Sequence, residues 1–207
     1  PLAVIQTNLE VFARREAPAL KDYQEIFAML QEQTGRLSHL AEILLDMTGV
    51  QTVERSERIS LAALTDEVFC DLASVAEQKD VELIQQEGDC IITGSYLLLY
   101  RAVYNLVENA IKYNHSGGKV TVNIHLSGEI TDTSTSVNYV FLEVSDTGIG
   151  IPPEYQEKIF TPFFRVDKSR SRAMGGAGLG LALVSEIVRQ HNGQVKVLES
   201  SKKGSII

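Results

Sequence analysis

Two asparagines four residues apart, Asn105 and Asn109, with Lys112 three further on, share one face of a stretch whose apolar residues recur with helical period. Asparagine is a poor interior helix residue because its amide competes for backbone hydrogen bonds. Two on one face therefore point to a task for their carbonyl oxygens, and Mg2+ takes such oxygens together with phosphate and water. A plain solvated face explains the same spacing, so this element alone leaves both readings open. A second group, Asp146-Thr147-Gly148-Ile149-Gly150-Ile151, directly follows a strand pattern. Its carboxylate can be aimed at a ligand donor while the glycines keep side chains out of the way; the alternative is an Asx-turn that merely ends the strand.

The densest glycine run is Met174-Gly175-Gly176-Ala177-Gly178-Leu179-Gly180-Leu181, which opens a helix running to about His191. Free N–H groups at a helix start favour phosphate, and glycines let the backbone come close. No Gly-Lys-Ser/Thr follows, so it is not a P-loop, and a long loop rather than a strand precedes it, so it is not a dinucleotide fingerprint. Between the glycine groups lies Phe160-Thr161-Pro162-Phe163-Phe164-Arg165-Val166-Asp167-Lys168-Ser169-Arg170-Ser171-Arg172. Arg165, Lys168, Arg170 and Arg172 oppose the single Asp167, a balance suited to covering a polyphosphate; a flexible solvated loop is the competing reading.

In this order the four elements resemble the catalytic and ATP-binding domain of sensor histidine kinases, members of the ATPase superfamily shared with gyrase, Hsp90 and MutL. The N box looks like Asn105 to Tyr113, the G1 box like Asp146 to Ile151, the F box like Phe160 to Phe164 and the G2 box like Gly176 to Leu181. The resemblance implies that Asn109 and Asn105 hold Mg2+ on the triphosphate of ATP and that Lys112 contacts phosphate. It implies that Tyr113 stacks near adenine, Asp146 accepts a hydrogen bond from the adenine amino group, and Gly148, Gly150 and Ile151 shape the base pocket. Phe160 then anchors the basic loop, Arg165 steadies the γ-phosphoryl group, and Lys168 reaches the phosphates. Gly176, Gly178, Leu179 and Gly180 supply lid hinges and backbone donors. Hydrolytic members of the superfamily carry a water-activating Glu where Asn105 aligns, so its replacement favours transfer to a protein. Glu108 is the nearby carboxylate that could spoil that inference.

The elements that must position these groups read as follows. Leu2, Ile5, Leu9 and Phe12 form one helical stripe, broken at Arg15-Glu16-Ala17-Pro18. Phe27, Leu30, Thr34, Leu37, Ala41 and Leu44 form a coiled-coil seam, with Ile26, Met29, Leu40, Ile43 and Met47 beside it. One partner helix cannot cover two seams, so residues 1–50 are expected to be a helical hairpin that pairs with a second copy as a four-helix bundle; a hairpin packed on its own domain is the competing reading. Residues 51–57 read as a linker and 58–207 as the second domain. There Ser60 suits an N-cap for Leu61 to Gln78, and short strands are expected at Val81–Ile84 and Cys90–Thr93, around the turn Glu87-Gly88-Asp89. A helix from Ser95 to Tyr113 buries Leu99, Val103, Leu106 and Ala110. Alternating strands at Val120–Leu126 and Val140–Val144 flank a polar loop at 128–138. A short helix at Glu154–Phe160 and a strand at Gln194–Leu198 complete an α+β class: a hairpin followed by an α/β sandwich of the histidine kinase, Hsp90 and gyrase type.

The resemblance reaches the hairpin, where Pro1-Leu2 looks like the end of the family's His-Glu-x-x-Thr-Pro-Leu pattern. It implies that the phosphorylated histidine precedes Pro1, and that the chain as given binds Mg-ATP without stably labelling itself. His39 lacks that context, and His115, His125 and His191 have no metal-ligand spacing. The implied partners are a homodimer mate and the receiver domain of a response regulator, with any membrane attachment in other parts of a plasma-membrane sensor whose cytoplasmic portion this would be. A formal charge of −8 over 207 residues argues against an electrostatic hold on nucleic acid or anionic lipid. Cys70 and Cys90 are too few for a disulfide framework. No apolar run reaches the ~18 residues of a bilayer span. Two other classes share the motifs: an ATP hydrolase of the same superfamily and a degenerate nucleotide-binding scaffold.

Overall fold

The computed structural model describes residues 2–14, 19–49, 54–86, 88–127, 139–166 and 178–207, without the side chains of 32, 36, 38–49 and 127. Two helices, α1 (Leu2–Ala13) and α2 (Leu20–Gly49), form the expected hairpin. Phe12 meets Tyr23 edge to face across it, ring centroids 5.0 Å apart. Within one chain this pairing covers little. Ile5, Phe12, Ile26, Met29, Leu30 and Leu37 are half-buried, while Leu2, Leu9, Leu20 and Phe27 remain exposed. His39 and the second half of the α2 seam lie outside the described side chains.

The second region is a sandwich. Strands β2 (Val81–Gln85), β4 (Gly118–Ser127) and β5 (Tyr139–Asp146) join the terminal hairpin β6 (Glu199–Ser201) and β7 (Gly204–Ile206) in the order β2-β4-β5-β7-β6. β2 runs parallel to β4 and the other pairs are antiparallel. Helices α3 (Leu61–Gln78), α4 (Tyr96–Lys112) and α5 (Gly180–Gln190) bury their apolar faces against one side. α4 buries Leu99, Val103, Leu106 and Ala110 as the spacing requires, together with Val107 and Ile111 at zero exposure. Each such side chain contributes about 1.5–3 kcal/mol of transfer free energy. α3 starts at its foreseen cap: the Ser60 hydroxyl accepts from the Ala63 amide at 3.1 Å, and Asp89 takes the Ser60 hydroxyl and the Ala62 amide.

Four expectations change. Glu57 opens a strand, β1 (Glu57–Ser60), which pairs antiparallel with β3 (Ile91–Gly94); β2 and β3 thus belong to different sheets and are not a hairpin. The stretch Glu154–Phe160 is two separate 3-10 turns, Pro153–Tyr155 and Lys158–Phe160, because no continuous i to i−4 ladder forms across Gln156 and Glu157. The strand expected at Gln194–Leu198 is irregular. Its alternation is real, with Val195 and Val197 half-buried between exposed neighbours, but ladder pairing starts only at Glu199. The strand β7, unforeseen, then provides its partner. Glu87 and the 128–138 loop lie outside the described residues.

Candidate nucleotide site

α4 organises the site. The Asn105 amide nitrogen donates to the Arg101 carbonyl and that of Asn109 to the Asn105 carbonyl, both at 2.8 Å. Each bond ties the nitrogen to the helix one turn back and leaves the amide oxygen as the outward group. The Asn105 oxygen lies against Gly180, the first residue of α5: a Cβ there would stand 2.5 Å from it. The glycine is what lets α5 begin beside the asparagine face. Lys112 sits over the Tyr113 ring, its nitrogen 5.8 Å from the centroid.

The carboxyl end of α4 meets the glycine turn that follows β5. The Ile149 amide donates to the Tyr113 carbonyl at 3.2 Å. A side chain on Gly148 would run into that carbonyl and the Asn114 backbone, so only glycine permits the approach. Asp146 accepts the Gly148 amide at 2.7 Å. The turn-forming role weighed for this residue is therefore real, and it engages one carboxylate oxygen. Burial pushes the Asp146 carboxyl above its ordinary range, opposed by the Gly148 and Ser205 amides and by His115. Gly150, at φ 72°, and Gly204 let the β6–β7 hairpin close on this turn, where the Ile151 amide donates to the Ser200 hydroxyl at 2.7 Å.

The third component is the start of α5. Among the described residues no side chain caps it, and the first N–H groups of a helix are the ones left without an intrahelical partner. Gly178, at φ 74°, seats against Phe164, and its carbonyl accepts the Phe163 amide at 2.8 Å. This joins the ends of the basic loop. Arg165, half-buried at that junction, has a buried guanidinium nitrogen, Nη2, without a hydrogen-bond partner among the described residues. Phe160 belongs to the 3-10 turn packed on α5. Leu179 is 1% exposed and anchors the junction in the core. Lys168 and Gly176 lie outside the described residues.

Sequence reasoning missed Asn114, 8% exposed, which knots the same corner. Its oxygen accepts the His115 amide and the Thr147 hydroxyl, and its nitrogen donates to the Lys119 carbonyl. It also missed His191, whose Nε2 accepts the Ser95 amide at 3.1 Å while Nδ1 donates to the Ile187 carbonyl. A polar residue just past each helix end was the available signal. Among the described residues no group of His, Cys, Asp and Glu could hold a metal, so amide oxygens are the ligands the site offers a cation.

The family described as "Histidine kinase-, DNA gyrase B-, and HSP90-like ATPase" matches residues 94–207, a span that holds α4, both glycine turns and the Phe160–Arg165 segment. Sensor histidine kinase RppB of Synechocystis sp. (strain ATCC 27184 / PCC 6803 / Kazusa) is 34% identical over all of this chain, which covers 44% of its length. The chain likewise spans 41% and 33% of the length of other curated relatives. Among solved structures, histidine kinase ThkA in complex with response regulator protein TrrA superposes with a TM-score of 0.71 at 20% identity, covering 100% of this chain and 55% of that one. Full-length ShkA in complex with AMPPNP gives 0.69 at 23% identity, covering 92% and 38%. Both share this fold. The chain belongs to the histidine kinase-, DNA gyrase B- and HSP90-like ATPase family, and within it to the sensor histidine kinases.

Proposed function

We propose that the chain is the ATP-binding catalytic part, with a dimerisation hairpin, of an ATP-dependent protein histidine kinase in a two-component system. The γ-phosphoryl group passes to a histidine just upstream of Pro1 in the parent protein and then to an aspartate of a response-regulator receiver domain. One observation supports this reading: three sequence-distant motifs converge on α4, the Asn105 oxygen set against the start of α5 and the Asp146 turn closing its far end. The residues fit a polyphosphate, since the buried Arg165 nitrogen has no hydrogen-bond partner among the described residues and Gly180 lets the start of α5 lie beside the Asn105 oxygen. When bound, Mg2+ neutralises triphosphate charge and ATP supplies the phosphoryl group.

Asn105 and Asn109 would hold the metal through their oxygens, with Lys112, Arg165, Lys168 and the amides at Gly178 to Gly180 on the phosphates. Asp146 would accept a hydrogen bond from the adenine amino group, beside Tyr113. Positioning and charge neutralisation are what phosphoryl transfer needs from a protein. Transfer is favoured over hydrolysis because Asn105 stands where the resemblance sets the water-activating Glu of hydrolytic relatives. The AMPPNP bound to ShkA and the regulator bound to ThkA support the ligand and the partner. A second copy would cover Leu20 and Phe27, which lie one heptad apart on α2 and are 75% and 62% exposed. Membrane attachment belongs to other parts of the parent; among the described residues no helix is long and apolar enough to cross a bilayer.

The test is a longer protein with the upstream segment restored, incubated with γ-labelled ATP. Alkali-stable, acid-labile label that chases onto a receiver domain supports the proposal; label released only as free phosphate favours a hydrolase. Sedimentation of the same protein should give a dimer, and a monomer at high micromolar concentration overturns the bundle.

A further inference from the structure

α4 ends without a glycine. Tyr113 closes it near helical geometry, at φ −98° and ψ 10°, so its last carbonyls need donors from elsewhere. One side chain provides most of them. Lys79, directly after α3, directs its ammonium to the carbonyl oxygens of Ile111 at 3.1 Å, Lys112, and Asn114 at 3.5 Å. Three N–H donors meet three acceptors, and the charge sits at the negative end of the helix dipole. Loss of water around the half-buried ammonium holds its pKa below the ordinary lysine value. The carbonyl between these, that of Tyr113, takes the Ile149 amide from the opposite side at 3.2 Å. The end of α4 is therefore gripped between Lys79 and the turn that carries Asp146 and Gly148.

We infer that Lys79 is a positioning residue for the base-binding end of the nucleotide site. By fixing the carbonyls of Ile111, Lys112 and Asn114 it sets the direction of Tyr113 and, through the Tyr113–Ile149 bond, the seat of the Asp146 turn. The inference rests on the nucleotide reading above and extends it to a residue on another element. Asn114 stiffens the link, because the segment whose carbonyl Lys79 holds also bonds Thr147 and Lys119. Lys79 itself touches no ligand. Its loss should change which base is preferred, whereas a merely structural lysine would change stability alone.

The experiment compares wild type with Lys79→Met, Lys79→Gln and Lys79→Arg in the full chain. Calorimetry with Mg-ATP and Mg-GTP is paired with amide hydrogen exchange at Ile149 without nucleotide. Lys79→Met should weaken ATP about tenfold while GTP moves less than about twofold, and Ile149 should exchange about tenfold faster while the buried β4 amides keep their rates. Lys79→Arg, which keeps the charge and the donors, should recover most of the ATP preference. Should the Met variant fail to fold, the Gln variant, which keeps two donors and no charge, is read the same way. An unchanged ATP to GTP ratio in either folded variant overturns the inference and leaves the nucleotide reading standing. A wild type that does not prefer ATP overturns both.

Discussion

α4 carries two polar faces built from opposite solutions. On one, Tyr96, Tyr100 and Tyr104 follow each other at four-residue spacing, their rings 6.4 and 6.1 Å apart, and the first two donate their hydroxyls to Glu67 and Asp71 of α3. On the other, Asn105 and Asn109 bond only backwards into their own helix. The tyrosine face fastens helix to helix. The asparagine face costs helix propensity, ties its amide nitrogens to its own helix and sets the Asn105 oxygen against the start of α5. A polar face bonded to a neighbouring helix serves the fold, and one kept at a cost in helix propensity marks a candidate site. The contrast is open to direct attack.

The largest effect is expected from Asn109→Ala in the protein with its upstream segment. Labelling from ATP should fall by about a hundredfold or more, as on losing one preorganised electrostatic contact. Thermal stability should hold or rise slightly, because alanine is the better helix former and only a bond to the Asn105 carbonyl is lost. Labelling within twofold of wild type would turn the asparagine face back into a solvated one.

Asp146→Asn ranks next. Asparagine can still accept the Gly148 amide but can rotate to donate to guanine. ATP affinity should fall and the ATP to GTP ratio narrow by about five- to 150-fold, the range for one unsatisfied buried polar group. Stability should move the other way. The folded carboxyl has a raised pKa, so the folded state binds more protons than the unfolded one across the interval above 3.8, and the charged group opposes folding once pH exceeds that interval. The variant should therefore melt higher than wild type at neutral pH, and the gain should vanish as pH falls below the unfolded value. Calorimetry and melting curves at pH 7 and pH 3.5 check both halves.

What could be read from sequence follows from how far the determining contacts reach. The asparagine spacing, the Ser60 cap and the alternation of Val120, Val122 and Ile124 are local, and the structure places each as read. The pairing of Ile91–Gly94 with Glu57–Ser60 bridges a whole helix and a strand, and nothing within either segment names its partner. Val195 and Val197 alternate correctly, yet the ladder begins at Glu199 because register depends on β7. Within the site, the motif residues were legible by type, but Lys79, Asn114 and Ser200 were not. Their roles depend on which carbonyl or amide the fold brings to them, as Ile151 is brought to Ser200.

Tyr100→Phe should sharpen the contrast from the other side. It removes a hydroxyl bonded to Asp71, whose carboxylate can turn to water, so a loss of about 0.5–1 kcal/mol is expected by urea denaturation. ATP affinity should stay within about twofold. A larger effect on ATP than on stability would mean that the tyrosine face also serves the site.

The smallest effect concerns alkaline pH. The bond to Glu67, with burial and the Glu67 charge added, pushes the Tyr96 hydroxyl up from 10.0 to about 12. Burial first, then Asp71, raises Tyr100 as well. A folded pKa above the unfolded one means that the stabilisation is complete below pH 10 and is lost as pH climbs through the folded value. Wild type should therefore lose stability between about pH 10 and pH 12 more steeply than Tyr96→Phe, which has no such proton to hold. The asparagines have nothing to titrate, so Asn105→Ala should leave the alkaline limb of the wild-type curve unchanged. Parallel limbs for wild type and Tyr96→Phe would show that the hydroxyl bond to Glu67 does not hold α4 to α3, and the tyrosine face would have to owe its strength to the Tyr100–Asp71 bond and to ring packing.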